Sequence, residues 1–95
     1  MRSVELAIYA DALAGESASL AARAEHARSR LLQAAIEKRA RAELSETAVD
    51  RLEALGLLGS VDERATRAEL RELDSALDAL EELQAWVEGE LASAA

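Results

Sequence analysis

Leu55-Gly56-Leu57-Leu58-Gly59-Ser60, with Val61-Asp62-Glu63 after it, is where the chain must turn. Gly56 can take the left-handed backbone conformation that closes a helix, because it has no Cβ to clash. Ser60 followed three residues later by Glu63 has the form of a capping box, in which the serine oxygen accepts an orphan amide and the glutamate reaches back. Asp62 adds negative charge to the first turn, where the helix dipole favours it. The stretch therefore predicts a helix ending near residue 55, a turn over 56–60 and a second helix starting near residue 61.

Downstream, Leu70, Leu73, Leu77, Leu80, Val87 and Leu91 step by three and four. This is the 3.5-residue spacing of a coiled-coil seam. Leu83 and Trp86 flank it, and Gln84 alone interrupts it, either as a seam-edge residue reaching solvent or as a polar residue that fixes register. The second helix is expected to span about 61–92. Upstream, Leu6, Leu13 and Leu20 recur every seven residues, and Ala24, Ala27, Leu31 and Ala35 continue the stripe. Ile36, Leu44, Ala48, Leu52 and Leu55 carry it on after a small phase drift. The first helical region is expected over about 3–55, roughly 75–80 Å if unbroken at 1.5 Å per residue. Two interruptions are conceivable. Gly15-Glu16-Ser17 could kink it, and Ser45 could restart it as a cap with Leu44 and Val49 as a hydrophobic staple. No Pro enforces either break.

Composition agrees with helix. The 95 residues include no Pro, four Gly and no Phe. Ala, Leu, Glu and Arg dominate, and these enter a helix at the lowest cost. β-branched and aromatic residues are too few and too scattered for a sheet. The fold expected is all-α: one domain over 1–95, an antiparallel coiled-coil-like hairpin that forms a bundle with a second chain. The expected hairpin seam is Leu31, Leu44 and Leu52 against Leu70, Leu73, Leu77, Leu80 and Val87.

Charge suggests how the helices pair. Arg23, Arg28, Arg30, Lys38, Arg39 and Arg41 form a basic stretch, and no basic residue follows Arg71. Counting both ways from 56–59 sets residue 41 beside 75 and residue 23 beside 93, so basic meets acidic. Such exposed pairs orient more than they stabilise. On that register Val4, Leu6, Ile8, Tyr9, Leu13 and Leu20 have no intrachain partner, and an apolar stripe of that kind is normally covered. Leu6, Tyr9, Leu13, Leu20 and Trp86 are accordingly the expected partner or dimer interface.

Little in the sequence carries chemistry. Without Cys there are no disulfides, thiolate nucleophiles or cysteine metal sites. His26 is the only histidine and has no second ligand in reach, so it reads as a surface or groove residue. Glu81-Glu82 reads as a solvated face. The serines lack an accompanying base, and 56–59 is too short and apolar for a phosphate cradle. No catalytic residue, metal or cofactor is expected. A net charge of −8 argues against nucleic acid or anionic lipid as partner of the whole molecule. The basic stretch is not interleaved with aromatics, so nucleic acid is an improbable partner there too. No membrane span or signal peptide is read, and a cytoplasmic protein is expected.

Arg30-Leu31-Leu32-Gln33-Ala34-Ala35-Ile36-Glu37 resembles a stretch of the actinobacterial anti-sigma factors controlled by cyclic di-GMP. The resemblance covers about a tenth of the chain. It implies antiparallel helices that grip a sigma factor. The family's nucleotide signature runs Glu, Ser, Arg, Gln, Asp at fixed steps. Gln33 and Glu37 fit its end, but Ala22, His26 and Ser29 stand at its first three positions, so no nucleotide is implied. The function expected is a non-enzymatic, structural or regulatory protein–protein interaction module. The alternative is an acidic anti-sigma-like or phage-type inhibitor that occupies a nucleic-acid-binding protein.

Overall fold

The computed structural model describes residues 2–59 and 61–94. Among these residues three helices follow one another: α1 (Ser3–Glu43), α2 (Glu46–Ala54) and α3 (Glu63–Ala94). No strand occurs among the described residues. The all-α expectation holds.

α1 passes through Gly15 without a break. A single interior Gly costs about 1 kcal/mol relative to Ala, too little to stop a helix whose flanks are strong helix formers. The interruption falls at Ser45 instead. Its backbone is extended (φ −65°, ψ 151°), and its Oγ accepts the Ala48 amide at 3.2 Å, the N-cap bond that lets α2 start. α2 ends as the Gly56 reading predicts. Gly56 has φ 73°, its amide donates to the Glu53 carbonyl at 3.0 Å, and the Leu57 amide donates to the Leu52 carbonyl at 2.9 Å. Together these are the paired bonds of a Schellman closure, which satisfy carbonyls the helix end would otherwise leave open.

The start of α3 differs from the expected capping box. The Ser60 half of that box lies outside the described residues. Asp62 is the residue that caps, its Oδ1 accepting the Ala65 amide at 3.0 Å. Its carbonyl accepts the Thr66 amide at 2.9 Å and the Thr66 hydroxyl at 2.8 Å. The carboxylate suits this position twice over, as acceptor and as negative charge at the positive end of the dipole.

The chain divides into two compact units, Met1–Glu25 with Arg71–Ala95, and His26–Leu70. In the first, Leu6, Leu13 and Val87 form the buried core, with Ala10, Leu80, Leu83 and Leu91 packed against it. Ala24 and Leu73 are buried in the same unit. In the second, Ala27, Ala34, Glu37 and Thr66 are buried, while Leu31, Leu52 and Leu70 are half-buried.

This arrangement corrects the expected register. Leu6 and Leu13 are not an uncovered stripe; the C-terminal part of α3 covers them. The count failed because it took 3–55 as one helix folding back at 56–59. α2 is a separate helix with its own caps, and within the first unit the C-terminal part of α3 packs on the first part of α1. The expected charge pairing shifts with it. Arg41 binds Glu53 and Gly59, and residues 71–95 group with 1–25. Leu44, expected in the seam, sits just before the Ser45 cap and is 45% exposed. Ala35 and Ile36, expected in the continuing stripe, are exposed, because the seam passes through Ala34 and Glu37 instead.

Candidate functional site

The unit His26–Leu70 holds an open groove of about 510 Å³ between α1 and the segment after α2. Leu32, Ile36, Leu57 and Leu58 supply its apolar walls, and Ser29, Gln33, Glu37 and Ala40 complete it. Leu32 is 64% exposed, Ile36 61% and Leu57 65%, so the groove is lined by large apolar side chains that the chain itself leaves uncovered.

A polar network holds the two walls together. Glu37 stands at a seam position and is buried. Its Oε1 accepts the Gln33 side-chain amide at 3.0 Å and the Gly59 backbone amide at 3.3 Å. Arg41, one turn further on, donates through Nη2 to the Gly59 carbonyl at 2.8 Å and through Nε to Glu53 at 3.2 Å. The one loop residue Gly59 is thus gripped at both its amide and its carbonyl from α1, and α2 is tied to α1 by the same guanidinium. The Gln33 hydrogen bond holds the Glu37 carboxyl below the usual glutamate range; burial opposes this, and the Gly59 amide and the Arg41 charge add to it. No buried side-chain polar atom among the described residues lacks a partner. The network ties the segment bearing Leu57 and Leu58 to α1 through Gly59.

The expected interface residues all fall in the unit formed by Met1–Glu25 with Arg71–Ala95. Leu6 and Leu13 lie in the core of the first unit, Leu20 is half-buried, and Tyr9 and Trp86 are 45% and 52% exposed. Of the expected seam, Leu73 and Val87 are buried and Leu77 and Leu80 half-buried in that unit. Gln84 is half-buried there, lining a small cleft of about 130 Å³ with Leu13 and Val87. His26 is exposed. Sequence reasoning missed the groove because Leu57 and Leu58 read as turn residues and Glu37 was met only as a position in the anti-sigma resemblance. Stepping on from Ala27, Leu31 and Ala34 by alternate fours and threes reaches Lys38, one residue past the buried Glu37, so the repeat alone did not single Glu37 out. Among the described residues no group of three or more His, Cys, Asp or Glu could hold a metal ion, and no helix is long and apolar enough to cross a membrane.

No family model, no curated protein and no solved structure matches the chain. The reading of its function rests on its own residues.

Proposed function

We propose that the chain is a cytoplasmic, non-enzymatic interaction module, structural or regulatory, that engages another protein chain through the groove of the His26–Leu70 unit. One observation carries this reading: Leu32, Ile36 and Leu57 are large, apolar and mostly exposed around a single concave surface. Apolar surface gains about 25 cal/mol per Å² when covered, and clusters of it on a concave face mark binding sites more often than scattered exposed residues do. The network at Glu37, Arg41 and Gly59 fixes the wall in place beforehand, which lowers the ordering cost of binding.

The test is binding by the purified chain and by its Leu57→Glu variant, against extract of the native cell and against itself. The reading expects a protein, identical or different, that the parent chain retains and Leu57→Glu loses. Retention that is indifferent to Leu57→Glu would move the interface elsewhere, and the absence of any bound protein would remove the reading.

A second reading has its own support. Glu72, Asp78, Glu81, Glu82, Glu88 and Glu90 are exposed along α3, and no basic residue follows Arg71. Such a face suits an inhibitor that occupies the basic surface of a nucleic-acid-binding protein. Salt separates the two: capture through carboxylates fades as ionic strength rises, whereas capture through the apolar groove persists.

A further inference from the structure

The net charge of the chain is confined to one of its two units. Met1–Glu25 with Arg71–Ala95 holds eleven of the nineteen carboxylates and only three of the eleven bases, Arg2, Arg23 and Arg71. His26–Leu70 holds eight of each, so the whole net charge of −8 lies in the first unit. The ion pairs Arg39–Glu43, Arg41–Glu53 and Arg67–Glu63 all belong to the neutral unit. In the acidic unit no base stands between Arg2 and Arg23, and none follows Arg71. Glu25 and Asp74, close in sequence to Arg23 and Arg71, have partners of their own.

The two aromatic side chains of the sequence, Tyr9 and Trp86, both lie in this acidic unit, 45% and 52% exposed. They share a flank. Successive residues of a helix are turned by about 100°. Ala10 and Ala14 therefore stand to one side of the buried Leu13, and Gln84 and Glu88 to one side of the buried Val87. These are the same side of the unit, since all six residues line one small cleft. Tyr9 stands on the opposite side of Leu13, and Trp86 on the opposite side of Val87. Ile8, 66% exposed, extends the patch outward. Glu5 is one turn before Tyr9 and Glu16 two turns after it, while Glu82 and Glu90 are one turn either side of Trp86. All four carboxylates are exposed.

An apolar patch of this kind marks a place where something docks, and the charge around it selects the occupant. A second copy would set a unit of equal negative charge against this one. Nucleic acid or an anionic membrane surface would bring phosphates. We propose that the Tyr9–Trp86 flank docks an arginine-rich segment of another protein. A guanidinium is attracted to the faces of aromatic rings, and its planar fork bonds a carboxylate through both oxygens. Arginine does both at one site, whereas lysine supplies a point charge. The inference rests on the inhibitor reading, a basic partner met by the acidic face, and assigns the surface that grips it.

Trp86 is the chain's single tryptophan, so its fluorescence reports on the flank itself. Titration with a nona-arginine peptide should shift that emission and saturate, and nona-lysine should bind more weakly. By calorimetry, Tyr9→Ala combined with Trp86→Ala should bind nona-arginine about tenfold more weakly than the parent, although the net charge is unchanged. Should that variant lose helix by circular dichroism, two charge-matched pairs of exposed residues decide. Glu82→Gln with Glu90→Gln removes charge beside Trp86. Glu81→Gln with Glu88→Gln removes the same charge elsewhere on α3, Glu88 being on the cleft side. The first pair should weaken binding more than the second. Equal effects of the two pairs, equal affinity for nona-lysine, or a folded aromatic variant that binds as the parent does would overturn the flank and leave the inhibitor reading to the carboxylates alone. A parent chain that does not bind nona-arginine would end both.

Discussion

Glu37 is the residue on which the local chemistry turns. Its carboxyl is held below the ordinary glutamate range chiefly by the Gln33 amide, with the Gly59 amide and Arg41 assisting against burial. A depressed carboxylate contributes stability that is fully present above its unfolded value, and this is lost as pH falls through that value toward the folded one. Acidification through the glutamate range should therefore release Gly59 and loosen the wall bearing Leu57 and Leu58. Melting temperatures taken across that range should fall more steeply for the parent than for Glu37→Gln, which keeps an acceptor for Gly59 but cannot titrate; identical slopes would mean the carboxylate is not part of the tie. Glycine gives a second contrast at this scale. Gly56 has φ 73°, a conformation an Ala resists, so Gly56→Ala should cost about 1 kcal/mol. Gly89 lies inside α3 with open space around the missing Cβ, so Gly89→Ala should stabilise by about 0.5–1 kcal/mol. Urea denaturation of the two variants reads opposite signs.

At the scale of elements, the short α2 decides the architecture, and its caps show which features were legible. Gly56 was plain in the sequence because only one residue type fits its conformation cheaply. Ser45 was visible as a possible cap, yet nothing local ranked it above Gly15, since both sit in strongly helical surroundings without Pro. Asp62 was read as a dipole partner rather than as the cap, because the serine two residues earlier offered a fuller motif. The register of α3 against α1 was not legible at all, for it depends on whether α2 is separate, a question one hydrogen bond from Ser45 helps settle. That bond and its counterpart at Asp62 carry predictions. Ser45→Ala and Asp62→Ala should each destabilise by about 0.5–2 kcal/mol, the usual cost of losing an N-cap acceptor. Hydrogen exchange should localise the first loss to the amides of α2 and the second to the first turn of α3. Uniform loss of protection throughout the chain would show instead that neither helix end frays independently.

For the whole molecule, the consequence is that α1 carries apolar residues both buried and exposed. Leu6 and Leu13 are buried against Val87 in their own unit, whereas Ile8 and Ile36 are mostly exposed. Truncating a buried side chain costs transfer free energy plus a cavity, about 2–5 kcal/mol for Leu→Ala. Truncating an exposed one falls within about 0.5 kcal/mol in an isolated chain. A bound partner changes the second figure but not the first, because ligand binding stabilises the fold by mass action. Leu13→Ala should therefore lower the melting temperature by the same amount at every protein concentration. Ile36→Ala should have almost no effect on the chain alone and a growing effect as the concentration of a protein bound in the groove rises. Reversing the half-buried Arg30 to Glu should cost less than Leu13→Ala, and its effect should shrink in high salt, since a charge that solvent reaches is screened while an apolar core is not. Melting curves over a wide concentration series separate these cases. A concentration-independent loss from Ile36→Ala, alongside a tolerated Leu13→Ala, would exchange the two roles. Ile36 would then help to hold the fold, and Leu13 would be free to meet a partner.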